Sequence, residues 1–144
     1  MSSAHASTAY NAIIDAINLA DSLIDAKLFE EARSLLRDMI PTARRLGRYD
    51  NAFSLLSNYA RAIYRDTNSS LGDLIDAVSV SEDVLHKARQ VFGTQHPLFA
   101  RYRKNLENAR MRLADDESRQ AFTDAAPAPT TRRRRRRRRA PSSK

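Results

Sequence analysis

Apolar residues recur along this chain three and four positions apart, the spacing that lines one face of an α-helix. Ile13, Ile17, Ala20 and Ile24 form the first such stripe. The helix that carries it is predicted to start after Ser7 or Thr8, since either side chain can accept a bond from a free N-terminal amide. A tight turn near Ala26–Lys27 leads into a second helix from Leu28 to about Leu46, with Phe29, Ala32, Leu35, Leu36, Met39 and Ile40 on its apolar face. Pro41 falls inside that pattern and removes a backbone donor, so a kink or a split is expected there. Gly47 then suits a left-handed cap.

A third helix is predicted from Asp50 to Asp66, burying Phe53, Leu56, Ala60, Ile63 and Tyr64. The polar connector Asp66-Thr67-Asn68-Ser69-Ser70 separates it from a fourth, Leu71 to Phe92, which stops at Gly93. Thr94-Gln95-His96-Pro97 opens a fifth helix, with proline at a first-turn position. That helix carries Phe99, Tyr102, Leu106, Ala109 and Leu113, and its pattern fades from Asp115 onward.

Two of these stretches are written twice. Phe29, Ala32, Met39, Ile40 and Ala43 recur 45 residues later as Leu74, Ala77, Val84, Leu85 and Ala88. Ala12, Ile13, Asn18, Ala20 and Leu23 recur 40 residues later as Ala52, Phe53, Asn58, Ala60 and Ile63. A period of that length marks stacked helical repeats, each burying its apolar face on the next. The fold class expected is therefore all-α: a short right-handed stack of two antiparallel helix pairs closed by a capping helix. The repeat domain is expected over residues 9–118, between a disordered stretch 1–8 and a disordered tail 119–144. Two pairs and a cap fall short of the roughly three units such arrays need. Either a marginally stable monomer or end-to-end self-association follows.

Charge divides the chain in the same place. The formal net charge is +8, yet Arg132–Arg139 and Lys144 supply nine of the 25 basic side chains, leaving 16 against 17 acidic ones in residues 1–131. The repeat domain is thus almost neutral, and the basicity belongs to the tail. No cysteine is present, which excludes a disulfide framework or thiolate metal site. No basic n-region followed by an apolar stretch opens the chain, and no run approaches the roughly 20 apolar residues of a membrane span. The expectation is a soluble intracellular protein, cytoplasmic or nuclear, without a transmembrane segment.

Small residues at fixed places carry a family resemblance. Asn18-Leu19-Ala20 is followed twelve residues later by Ala32 in Glu30-Glu31-Ala32, and Asn58-Tyr59-Ala60 repeats the first part, with Ala77 delayed by the connector. Ala88 to Pro97, ending in His96-Pro97, looks like an inter-repeat junction. These features resemble tetratricopeptide repeats, in particular the longer variety of kinesin light chains, over roughly residues 12–113. The usual large residue and glycine-tyrosine turn of that family are absent. The resemblance implies a non-enzymatic adaptor or scaffold that binds a peptide or protein surface on the concave side, lined by the first helix of each pair.

By position, the resemblance assigns peptide binding to Asn18 and Asn58, and more loosely to Asn105; an amide offers an extended chain both a donor and an acceptor. Arg61 and Arg65 lie one and two turns beyond Asn58, and Lys104, with Arg101 and Arg112, extends a basic strip that would favour an acidic peptide. Asp21 and Asp25 work against a uniformly basic groove. The alternative for all these charges is an ordinary solvated face.

Catalysis finds no support in the residue pattern. No nucleophile, base and orienting group share a recognisable spacing, and there is no phosphate-binding glycine loop. His5, His86 and His96 are scattered, and His96 reads as a structural or capping residue. No metal site and no cofactor are expected, and the acidic cluster Asp115-Asp116-Glu117 lacks the spaced ligands of a calcium loop.

After the proline-spaced stretch Ala125 to Thr131, the arginines Arg132, Arg133, Arg134, Arg135, Arg136, Arg137, Arg138 and Arg139 follow without interruption. Such a run attracts nucleic acid through its phosphates, in a salt-sensitive and sequence-independent way. It serves equally as an import-receptor signal, an anionic-membrane contact, or a simple-sequence expansion tolerated in a tail. No aromatic residue lies between Ala125 and Lys144 to stack on bases. The second functional reading is therefore a nucleic-acid-associated or nuclear-targeted protein.

Overall fold

In the computed structural model the described residues run from 3 to 125, and the Arg132–Arg139 segment, with the readings attached to it, lies outside them. Five helices make up the fold: α1 (Ser3–Asp25), α2 (Phe29–Arg45), α3 (Tyr49–Tyr64), α4 (Leu71–Phe92) and α5 (Pro97–Ala125). No strand occurs among the described residues.

Each helix packs on the next, and α3 also packs on both α1 and α5. Among the described residues α1 does not pack on α5, nor α2 on α4, although Arg33 of α2 reaches Asp73 of α4 at 3.9 Å. The helices therefore form two layers, α1, α3 and α5 in one and α2 and α4 in the other, with α3 at the centre.

Alanines sit where helices cross. Ala20, Ala32, Ala60, Ala77, Ala88 and Ala109 are fully buried, and their lack of bulk lets neighbouring backbones approach. Around them Ile13, Leu36 and Leu55 fill the space between α1, α2 and α3. Ile63, Tyr64 and Leu74 do the same between α3, α4 and α5. Phe53, Val84 and Tyr102 form a third cluster at the other end of the same three helices.

Two connections share one turn. At Lys27 the chain enters the left-handed region (φ 64°), with Leu28 N–H bonded to the Leu23 carbonyl and Lys27 N–H to the Ile24 carbonyl. Gly47 (φ 67°) repeats that pattern, with Arg48 bonded to Ala43 and Gly47 to Arg44. Both close a helix by satisfying its last carbonyls, and only the second uses the residue that does so without a Cβ penalty.

The structure departs from the sequence-based expectation in two places. Helix α1 opens at Ser3, so residues 3–8, expected to be disordered, are helical; Ala4, Ala6 and Ala9 favour helix strongly enough to carry it past the expected caps. Helix α5 continues to Ala125 through residues 119–125, expected to belong to the tail. Bonds from Gln120 to Asp124 (3.0 Å) and from Thr123 to the Arg119 carbonyl (2.9 Å) support these last turns. Pro41, where a kink or a split is expected, lies within α2, which it does not split. Pro41 and Arg37 are both exposed, so the carbonyl that loses its helical donor lies on the solvent side.

Candidate functional site

The α1–α3–α5 layer presents a groove of about 610 Å³, bordered by Asp21 and Asp25 of α1, Arg61 and Arg65 of α3, and Arg101 and Asn105 of α5, with Tyr64 and Asn108 completing it. Its lining residues share a regular spacing in the sequence. Asp21, Arg61 and Arg101 stand 40 residues apart, as do Asp25, Arg65 and Asn105. Each series contributes one residue from α1, one from α3 and one from α5, and so crosses the groove as a row.

Along these rows the charges alternate where they meet. Arg61 bonds the Asp21 carboxylate at 3.2 Å, and Arg65 approaches Asp25 at 3.6 Å. Arg61 is largely buried and its Nε has no partner, whereas Arg65 and Asp25 are exposed. The second pair therefore contributes little to stability, as exposed pairs generally do. Arg101 forms no ion pair among the described residues and is exposed at the groove's edge. One uncompensated guanidinium thus remains beside two neutralised ones.

Beneath the groove, polar bonds tie α3 to α5. The Tyr64 hydroxyl donates to Asn105 Oδ1 at 3.1 Å, and Asn105 Nδ2 donates to the Ser57 hydroxyl. Ser54 and Tyr102 share a bond of 3.1 Å one turn further along. Burial pushes the Tyr102 hydroxyl above its ordinary pKa, partly offset by the Ser54 bond. Both hydroxyls and the amide find partners inside the protein, which is what makes their burial tolerable.

Of the residues singled out from sequence, Arg61, Arg65 and Asn105 come together in this groove. Asn105 reaches it by its edge only, with its amide engaged by Tyr64 and Ser57. Asn58 is 3% exposed and is not among the lining residues. Asn18 lies exposed on α1, and Lys104 lies exposed on α5, both outside the lining.

Arg112, expected to extend the basic strip, has a different position. Its Nη1 donates to the carbonyls of Tyr64 (2.7 Å) and Asp66 (2.8 Å), while Asp116 accepts from Nε and Nη2. It thereby caps the C-terminal end of α3, where a cation is favoured. The Arg112 hydrogen bond holds the Asp116 carboxyl below the usual carboxylate range.

Sequence reasoning passed over Arg33 and Asp66. Arg33 of α2 contacts Asp66 at 3.5 Å, and Asp66 also accepts from Asn68 N–H at 2.9 Å. His96 accepts a bond from Leu98 N–H at 3.1 Å and stacks on Phe92, organising the start of α5. Among the described residues no three potential metal-ligating side chains gather, and no helix is long and apolar enough to cross a membrane.

No family model matches this sequence, and neither a curated protein nor a solved structure is significantly similar to it.

Proposed function

We propose that this chain is a non-enzymatic interaction module of tetratricopeptide-like design, taking an extended segment of a protein partner along the groove bordered by α1, α3 and α5. The observation that carries this reading is the pair of 40-residue rows across the groove, one of which ends in the unpaired Arg101. A partner carboxylate meets Arg101 directly, without displacing an internal pair, and the Asn108 amide beside it offers a donor and an acceptor to the partner backbone. Asp21–Arg61 and Asp25–Arg65 present both signs to the rest of the segment, so the preferred partner carries mixed charge with an acidic residue at the α5 side.

The test is affinity capture with the full chain after nuclease treatment, with partners identified by mass spectrometry. Two variants accompany it: Arg101→Glu, and a chain whose Arg132–Arg139 run is replaced by glycine and serine. Partners kept by the tail variant and lost by Arg101→Glu support the groove. Partners lost with the arginine run and indifferent to Arg101→Glu turn the assignment to the second reading, a nucleic-acid-associated or nuclear-targeted protein. Eight adjacent guanidiniums are the observation that favours that second reading.

A further inference from the structure

Charge is unevenly distributed over the five helices. Arg65 meets Asp25, Arg33 reaches Asp66 and Asp73, and Arg112 bonds the Tyr64 and Asp66 carbonyls. Residues 21–33, 61–76 and 112–125 therefore share one end of the bundle, and they hold eleven carboxylates against six basic side chains. At the opposite end Phe53 meets Phe92 and Arg48 lies over Tyr10. There residues 44–53 and 83–99 hold five basic side chains against two acidic ones. The nearly neutral body is thus polarised end to end, and α5 carries the chain out at the acidic pole.

The surplus is clearest around the start of α2. Arg33 serves three carboxylates at once, Glu30 at 2.8 Å, Asp66 at 3.5 Å and Asp73 at 3.9 Å. Beside them a concavity of about 410 Å³ opens between the α1–α2 turn and the connector after α3. Glu30, Glu31, Asp66, Thr67 and Asn68 line it, with Lys27 as the one basic group. Glu31 is exposed and has no cation partner among the described residues, and Glu30 is 85% exposed despite its bond to Arg33. Open carboxylates of this kind take guanidinium groups in paired, charge-assisted bonds. Among the described residues no three potential metal-ligating side chains gather, so the negative charge is spread over a surface instead of focused on one ion.

We infer that the chain's own Arg132–Arg139 run docks on this acidic end, with guanidiniums against Glu30 and Glu31 at the mouth of the concavity. The length of chain fits. Ala125 lies thirteen residues past Arg112, about 20 Å beyond the acidic end at the helical rise. The fourteen residues from Ala125 to Arg139 reach up to roughly 46 Å. That covers the way back and the two helix spacings, about 20 Å together, that lead from α5 across α3 to α2. The opposite pole has the run's own sign and repels it. Docked, the run is withheld from nucleic-acid phosphates, so binding through the tail competes with the protein's own carboxylates. The inference does not rest on the α1–α3–α5 groove.

The test compares amide shifts of the isotopically labelled full chain, recorded by NMR at low salt, with those of the chain whose arginine run is glycine and serine. Differences are expected at Glu30, Glu31, Thr67 and Asn68, independent of protein concentration. They should vanish at about 1 M salt, where charges are screened within about 3 Å. Glu30→Gln combined with Glu31→Gln, both at exposed positions, should remove them as well. The same pair should tighten binding of a fluorescent oligothymidylate by about twofold or more, the factor by which a half-occupied dock lowers the available fraction. Asp15→Asn combined with Asp38→Asn, an equal change of charge away from that end, should not. Identical spectra for the two chains overturn the inference, as do differences confined to Asp21, Asp25 and Arg101, or equal tightening by both pairs of substitutions. Differences that fade on dilution place the run on a second copy, and the intramolecular dock is then ruled out.

Discussion

Lys27 turns the first hairpin within the three residues between α1 and α2, whereas six residues separate α3 from α4 in the second. The short turn is self-contained, closed by backbone bonds from Lys27 and Leu28. The long one depends on its surroundings. Ser69 donates to the Ile63 carbonyl at 2.7 Å, Ser70 and Asp73 form a reciprocal cap for α4, and Arg33 and Arg112 reach in from α2 and α5. The longer connection is thus accommodated by side chains from two other helices. Loop closure itself is cheap, growing only logarithmically with length. The demanding part is satisfying the extra backbone, and that is where Asp66, Ser69, Ser70 and Arg112 are used.

The sharpest way to break this comparison is in the core, where the two hairpins should behave alike. Leu36 and Leu74 are both fully buried, and truncating either to alanine should cost about 2–5 kcal/mol. Urea unfolding followed by far-UV circular dichroism measures both. A single transition that shifts for each variant makes the hairpins one cooperative unit, while two separate transitions would show that they unfold apart.

Next in size is the connector. Arg112→Ala removes charge-assisted bonds to two carbonyls and should cost about 1.5–3 kcal/mol, with Arg112→Lys recovering only part because it lacks the planar fork. The same site gives a pH signature. Asp116 has a folded pKa below its ordinary 3.8, so its contribution is complete above that value and disappears as pH falls through the lowered one. Stability measured from pH 5 to pH 2 should lose that slope in Arg112→Ala.

The smallest effects belong to the paired turns, and they should have opposite signs. Lys27→Gly relieves a left-handed L-residue and should stabilise by about 1 kcal/mol or less, whereas Gly47→Ala imposes the same strain and should destabilise by about 1 kcal/mol. Nothing lies within 4 Å of a Cβ built at Gly47, so backbone conformation alone determines the result. Thermal melts of the two variants check the pair.

Much of this architecture was legible in the sequence. The bounds of α4, the opening of α5 at Pro97 and the left-handed cap at Gly47 all follow from local chemistry: a serine cap, a first-turn proline, a glycine after the last apolar position. What local chemistry does not encode is which polar groups meet across helices. Arg112 and Tyr64 are 48 residues apart, and nothing in the composition of α5 separates a capping arginine from a surface one. Asn58 matched the binding position more closely in sequence than Asn105 did, yet Asn105 borders the groove, tied into the Ser57–Tyr64 network, while Asn58 is buried on α3 beyond the groove lining. The Asp21–Arg61 contact had a signal of its own, the 40-residue offset already evident in the apolar pattern. Applied to the charged positions, that offset also aligns Arg61 with Arg101 and Arg65 with Asn105. At the ends, α1 and α5 run on because alanine propensity and side-chain bonds four residues apart sustain helix without an apolar stripe.

Arg112 has one further consequence. In a linear stack the terminal element has a neighbour on one side only and frays first. Here a single guanidinium on α5 holds the end of the central helix and the loop beyond it, so α5 cannot peel away without uncapping α3. Amide protons in the middle of α5 should then exchange with solvent only as slowly as those of α3 allow, and no faster, both reporting the same global opening.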